Sequence, residues 1–227
     1  WTSITNGYPA SITGYTGELA TMAVSPAAPQ NVWVHLMCRQ TSTNTAKTYD
    51  IYKSTDGGLS FSRLNITTDI SDSYWQGGWN EGFGVSDTDP NLMASGSYST
   101  WVSRDGGMTW TGNGSMGKNG PHSDVHAIVI RNKTVWSIGD GGIYKSYDYG
   151  QNYIHTIDDG IQSHCLWGFD QAWKSDIMAL GMYHGPTVIR DDNIYDGWFP
   201  AHGADAGVAF VNKGDDRYIY ASPWGLA

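Results

Sequence analysis

Short apolar runs set the texture of the chain, and none of them is long. Residues 19–25, 31–38 and 48–54 are rich in β-branched, aromatic and alternating apolar side chains, and Gly, Pro or Asn bounds each run. That texture predicts β-strands joined by tight turns. Further strands are expected at 61–65; at 83–86, 92–97, 100–103 and 110–112; at 125–131, 134–139, 142–146 and 153–157; and at 166–171, 177–182, 187–190 and 198–200. They fall in fours. Pro26, Pro29 and Pro90 stand between first and second strands, where no ladder N–H is lost.

Between the third and fourth strand of a group the same words recur. The copies are Ser54-Thr-Asp56-Gly-Gly58-Leu-Ser-Phe61, Ser103-Arg-Asp105-Gly-Gly107-Met-Thr-Trp110 and Ser146-Tyr-Asp148-Tyr-Gly150-Gln-Asn-Tyr153, at spacings of 49 and 43 residues. Another 44 residues on, Arg190-Asp-Asp192 followed by Trp198 reads as a decayed fourth copy. An Asp side chain can bond backbone N–H groups just ahead of it, and Gly supplies the positive φ of a hairpin turn. The aromatic then opens the outgoing strand and packs beneath the turn. These Ser, Asp and Gly residues are therefore expected to build turns.

One such hairpin per four-stranded group predicts an all-β chain of propeller blades. Blades are expected at 18–70, 71–115, 116–160 and 161–203, with 1–17 ending a preceding blade and 204–227 opening an unfinished fifth. Strands at 207–212 and 217–221 would belong to that last piece. Four blades plus scraps at both ends predict a fragment of a larger propeller. The alternative is a five-bladed ring that borrows the N-terminal strand.

The repeated motif resembles the Asp box, or BNR repeat, of sialidase-like and sortilin-like propellers. In that superfamily the box is structural, so the resemblance also implies a structural role for these aspartates. His122-Ser-Asp124-Val-His126-Ala127, followed by Asp140-Gly-Gly-Ile-Tyr144-Lys-Ser146, is similar to a recurring signature of large BNR proteins, the two-propeller xyloglucanase-type glycoside hydrolases among them. The resemblance covers nearly the whole chain at the level of blades.

Composition narrows the partners. A net charge of −9, with no basic cluster, argues against nucleic acid. No stretch approaches the roughly 18 apolar residues of a membrane span, so membrane insertion is not expected. No cofactor motif is present either. Cys38 and Cys165 are too few for a disulfide framework and are expected to be buried thiols. Sequons at Asn65, Asn113 and Asn132 would permit glycosylation, in keeping with a secreted or cell-surface protein.

The segments leading into the first strand of each blade carry the candidate chemistry. They hold Tyr74, Trp75, Trp79 and Glu81; His122, Asp124 and His126; His164 and Trp167; and His202 and Asp205. The connections between second and third strands add Tyr98, Asp140, Tyr183 and His184 at the same end. Aromatic faces beside imidazoles and carboxylates suit a sugar ring, by stacking and by hydrogen bonds to hydroxyls. The expected partners are accordingly a glycan or protein at this face, and the remainder of a larger protein.

Two chemical alternatives accompany that expectation. His122, Asp124 and His126 would share one strand face at i, i+2 and i+4 and could hold Zn²⁺ or a similar ion. Glu81 and Asp124, on neighbouring inner strands, are the pair nominated for glycoside hydrolysis, which needs two facing carboxyls. The xyloglucanase-type resemblance implies one aspartate from each of two propellers, of which this chain could supply one. A sialidase is excluded. Its arginine triad cannot be assembled from Arg39, Arg63, Arg104, Arg131, Arg190 and Arg217, given where these fall relative to the boxes and turns.

Overall fold

The computed structural model describes residues 3–4, 6–7, 15–40, 47–68, 70, 81–113, 120–155, 166–182, 185–194, 196–202 and 206–223. The chain divides into two compact units, Trp1–Asp159 and Gly160–Ala227. Among the described residues every regular element is a β-strand.

The first unit holds three antiparallel meanders. Strands β1 (Tyr15–Ser25), β2 (Ala28–Gln40), β3 (Lys47–Ser54) and β4 (Ser62–Arg63) pair in that order. So do β5 (Gly82–Val85), β6 (Met93–Gly96), β7 (Thr100–Ser103) and β8 (Thr111–Asn113). The third meander has β9 (Val125–Arg131), β10 (Thr134–Gly139) and β11 (Gly142–Ser146). Of the fourth strand expected at 153–157, the described residues 153–155 hold one bridge, from Ile154 to Lys145. At the other end of the unit, the described residues Ser3 and Ile4 lie in no strand, while the Asn6 carbonyl accepts a bond from the Phe61 N–H at 2.9 Å.

The second unit repeats the plan with β12 (Leu166–Gln171), β13 (Met178–Met182), β14 (Thr187–Arg190) and β15 (Trp198–His202). A two-stranded sheet follows, β16 (Ala206–Val211) with β17 (Ile219–Pro223). Within each unit, the first strand of one sheet packs against the first strand of the next: β1 on β5, β5 on β9, and β12 on β16. Four-stranded meanders stacked face to face through their first strands are the blades of a β-propeller.

Strand alternation divides the core into layers. Met93 turns to the first sheet and packs with Trp33, Met37, Ile51, Ile70, Phe83, Val85 and Trp110. Its neighbours Leu92 and Ala94 turn to the third, where they meet Val125, Ile128, Ile130, Val135 and Tyr153. The middle blade is therefore covered on both faces, and every residue of β5 and β6 is buried. Each large apolar side chain removed from water contributes about 1.5–3 kcal/mol. In the second unit the layer between sheets is built from aliphatic residues, Ala172, Ile177, Ala179, Ala209 and Val211.

The repeated hairpins share one construction. The Ser54 hydroxyl donates to Asp56 Oδ1 at 2.7 Å and accepts the Gly58 N–H at 2.8 Å, while Asp56 Oδ1 accepts the N–H groups of Leu59 and Ser60 at 3.0 Å each. Ser103 with Asp105, and Ser146 with Asp148, reproduce these bonds at 2.6–3.1 Å. Hydrogen bonds from Ser60, Ser54 and the backbone hold the Asp56 carboxyl well below its usual range. At Asp105 and Asp148, burial opposes ionisation, but hydroxyl, amide and backbone donors outweigh it and lower both. As expected, the aromatic closes the turn from below: Trp110 is buried and its indole N–H donates to the Gly107 carbonyl at 3.0 Å. In the third copy Tyr149 takes a position held by glycine in the other two, at φ 60°.

The fourth copy has lost the device. Arg190 stands where the serine would be and forms a forked pair with Asp192, at 2.8 and 2.9 Å. The neighbouring Asp191 accepts the Asn193 N–H instead, so a turn survives without the serine bridge.

Candidate functional site

The residues leading into β9 and the turn between β10 and β11 form one local assembly. His122 lies against Gly141, where a Cβ would come within 2.2 Å of the His122 Cβ. The Asp124 carbonyl accepts the Asp140 N–H at 3.2 Å and leaves no room for a side chain at Gly139. Farther along, His126 Nε2 meets Asp140 Oδ1 at 2.5 Å. The spacing of His122, Asp124, His126 and Asp140 thus has a local cause: glycines flank Asp140 so that the incoming chain can lie across the turn. The His126 side chain is 42% exposed and Asp140 16%, so the pair sits at an open surface. A carboxylate on one imidazole nitrogen fixes ring orientation and tautomer. The neighbouring blade joins in, because the Val125 N–H donates to the Ser97 carbonyl at 2.7 Å.

This geometry corrects the metal alternative. Strand β9 begins at Val125, and Asp124 has a left-handed φ of 67°. His122, Asp124 and His126 therefore do not share one face of an extended strand. Among the described residues no three His, Cys, Asp or Glu side chains gather as a metal site.

Glu81 occupies a different setting. It ends the segment leading into β5, and its side chain is fully buried. Its Oε1 meets His35 Nδ1 at 2.7 Å, and His35 Nε2 meets the Ser95 hydroxyl at 3.1 Å. The His35 ring also stacks on Phe83, 5.0 Å between centroids and 9° from parallel. Ser95, His35 and Glu81 are joined in the order of a hydrolase triad. Burial decides their role: His35 is 0% and Ser95 1% exposed, so no substrate carbonyl can reach the hydroxyl. The chain of bonds joins the first blade to the second.

His35 was absent from the sequence candidates. Its signal was its company, since Trp33, His35 and Met37 share one fully buried strand face. A histidine among such neighbours needs a buried partner, and Glu81 is 46 residues away.

The remaining candidates divide by what is described. Trp167 lies in β12 and is 41% exposed, in the second unit. Position 202 lies in β15, without a described side chain. Tyr74, Trp75, Trp79, His164, Tyr183, His184 and Asp205 lie outside the described residues, as does Cys165; Cys38 lies in β2, without a described side chain. Tyr98 sits in the β6–β7 turn, at the end where β5 and β9 begin. The five described arginine side chains all have local partners: Asp50 for Arg63, the Tyr149 carbonyl for Arg104, Asp87 for Arg131, Asp192 for Arg190 and Asp215 for Arg217.

No protein-family profile matches the chain, and no curated protein matches it. Solved structures similar to it include a GH74 enzyme of Niastella koreensis, at 17% identity and a TM-score of 0.44 over 91% of this chain. They also include the GH74 xyloglucanase of Xanthomonas campestris, at 15% identity and 0.44 over 88%, and YCF48 bound to D1 peptide, at 14% and 0.43 over 93%. The chain spans 33%, 34% and 64% of those three chains. At such scores the likeness adds nothing to the geometry.

Proposed function

We propose that the chain is a recognition module of an extracellular or cell-surface protein, binding a glycan or protein at the end of the blades where β5 and β9 begin. The observation that carries this reading is the His126–Asp140 pair, half open to solvent on a packed turn beside His122. An oriented imidazole and its carboxylate offer a donor and acceptors to ligand hydroxyls or amides at little ordering cost. Tyr74, Trp75 and Trp79 are the aromatic side chains to which this reading assigns contact with the ligand. The Ser-x-Asp turns support kinship with Asp-box propellers, in which such hairpins are scaffold. A glycan array followed by calorimetry tests the reading. Asp140→Asn or His126→Ala is expected to weaken any hit about tenfold, near 1.4 kcal/mol. Hits untouched by both changes would sink it.

A second reading, a glycoside hydrolase of xyloglucanase type, is favoured by one observation. Glu81 and Asp124 stand directly before the adjacent first strands β5 and β9, and since the Glu81 side chain is fully buried against His35, Asp124 is the carboxyl on which this reading turns. Release of reducing sugar from xyloglucan and other polysaccharides, abolished by Asp124→Asn with the thermal unfolding unchanged, would establish it. Binding without turnover favours the recognition module.

A further inference from the structure

We propose that the first blade junction encloses a hydration site, one water molecule held between Glu81 Oε2 and the Ser97 hydroxyl. Both atoms are buried, and neither has a hydrogen-bond partner among the described residues. Their nearness follows from register. Gly82 pairs with Gly96 across β5 and β6, so the next positions outward, Glu81 and Ser97, stand opposite each other. Directly opposed residues have Cβ atoms about 4.5–5.5 Å apart. They also share a face, because Glu81 and Ser97 continue the alternation of Phe83 and Ser95, which both contact His35. The other groups nearby are committed. Glu81 Oε1 is held by His35, the Ser97 N–H donates to the Ser99 carbonyl, and the Ser97 carbonyl accepts from Val125.

Leaving a carboxyl oxygen and a hydroxyl unbonded in the interior is costly, because each has given up its bonds to water. Buried polar groups that lack protein partners are ordinarily met by an internal water with two to four polar contacts. A water can donate to Oε2 while accepting from, or donating to, Ser97. A monovalent cation fits less well, because it cannot accept from the hydroxyl and wants several more oxygens. The site makes Glu81 an anchor between blades, with each oxygen assigned, and it stands independently of the functional reading above.

A high-resolution crystal structure of the chain is the test. One density peak within about 2.7–3.2 Å of both atoms is expected. A direct Glu81–Ser97 bond, or no peak, would overturn the proposal. An anomalous peak there after a thallium(I) soak would also overturn it, by assigning a cation. Ser97→Ala, which keeps the His35–Glu81 pair, is expected to lower Tm by about 2–4 °C, and an unchanged Tm counts against the site.

Discussion

The two blade junctions of the first unit do the same geometric job with opposite materials. Between the first and second blades, bulky side chains fill the gap: Trp33, Met37, Phe83, Met93 and Trp110, with His35, Glu81 and Ser95 among them. Between the second and third, the backbone closes in. A Cβ on Gly82, Gly84 or Gly96 would come within 2.5–3.1 Å of β9 atoms. The polar contacts there are neutral, with Thr100 and Ser137 hydroxyls 3.0 Å apart. Ser95 and Ser137 nevertheless occupy the same place in their blades, each two residues beyond the partner of a box serine. A further bond recurs at the far end of the first strands, where Ser25 donates to the Ser86 carbonyl and Ser86 to the Asn132 carbonyl. A blade thus keeps fixed points of attachment to the next while the filling between them varies. One junction adds a buried His35–Glu81 hydrogen bond, the other adds glycines that let the inner strands close in.

The comparison breaks most visibly at His35. His35→Ala strands a buried carboxylate and empties the space against Phe83. It is expected to cost about 2–5 kcal/mol, a cavity together with a buried polar group left without its partner. Chemical denaturation should show a lower midpoint with an unchanged slope. A loss below about 1 kcal/mol would mean that the pair is solvated and not a junction element.

At the second junction the matching change adds atoms. The Cβ of Gly82→Ala would lie 2.9 Å from the Ala127 carbonyl carbon and the Ile128 nitrogen, backbone that cannot swing aside. Overpacking of this kind costs about 1–3 kcal/mol. On the first-junction face Gly107 meets a side chain and not backbone, Leu64 Cδ1 at 2.8 Å, and Ser95→Ala there should cost only its hydrogen bond to His35.

A neutral pair makes the next step down. Thr100→Val leaves the Ser137 hydroxyl buried and alone, at a cost of about 1–3 kcal/mol. Removing both hydroxyls, with Ser137→Ala added, should recover part of that loss. A double-mutant cycle in thermal unfolding reads the coupling directly.

How much of this could be read from the chain differs between parts. The strands could, because their periodicity is local: β9, β10, β11, β12 and β14 fall where the pattern predicts. The three hairpins could as well, since Ser, Asp and Gly within five residues carry their own hydrogen bonds. The short β4 and the single bridge at Ile154 could not, because an outer strand of polar residues has no burial pattern to betray its length. The pairing of His126 with Asp140 was legible only as a shared signature. His35 with Glu81 was hidden altogether, since register between two blades, not sequence spacing, brings them together. The shared strand face expected of His122, Asp124 and His126 fails at a single residue. Strand alternation does not run through Asp124, whose left-handed backbone breaks it.

The smallest effect concerns the rim, where both junctions use the same device. Arg104, inside the second box, donates to the Tyr149 carbonyl of the third, and the Thr67 N–H donates to the Met108 carbonyl of the second. Each box aspartate is ionised more readily in the folded chain than its usual value of 3.8 allows. A depressed folded value contributes stability that is complete above the unfolded value and is lost as pH falls towards the folded one. Stability should therefore be flat with respect to these three groups near neutrality and decline below about pH 4. In Asp105→Asn the side chain still accepts through one oxygen but no longer titrates. Its Tm should lie slightly below wild type at neutral pH, and the gap should narrow on acidification, because the variant has one fewer proton to take up. A gap that stays constant from neutral pH into the acid range would show that the Asp105 charge contributes nothing. The boxes would then act by shape alone, leaving the interior of each junction as the whole difference between them.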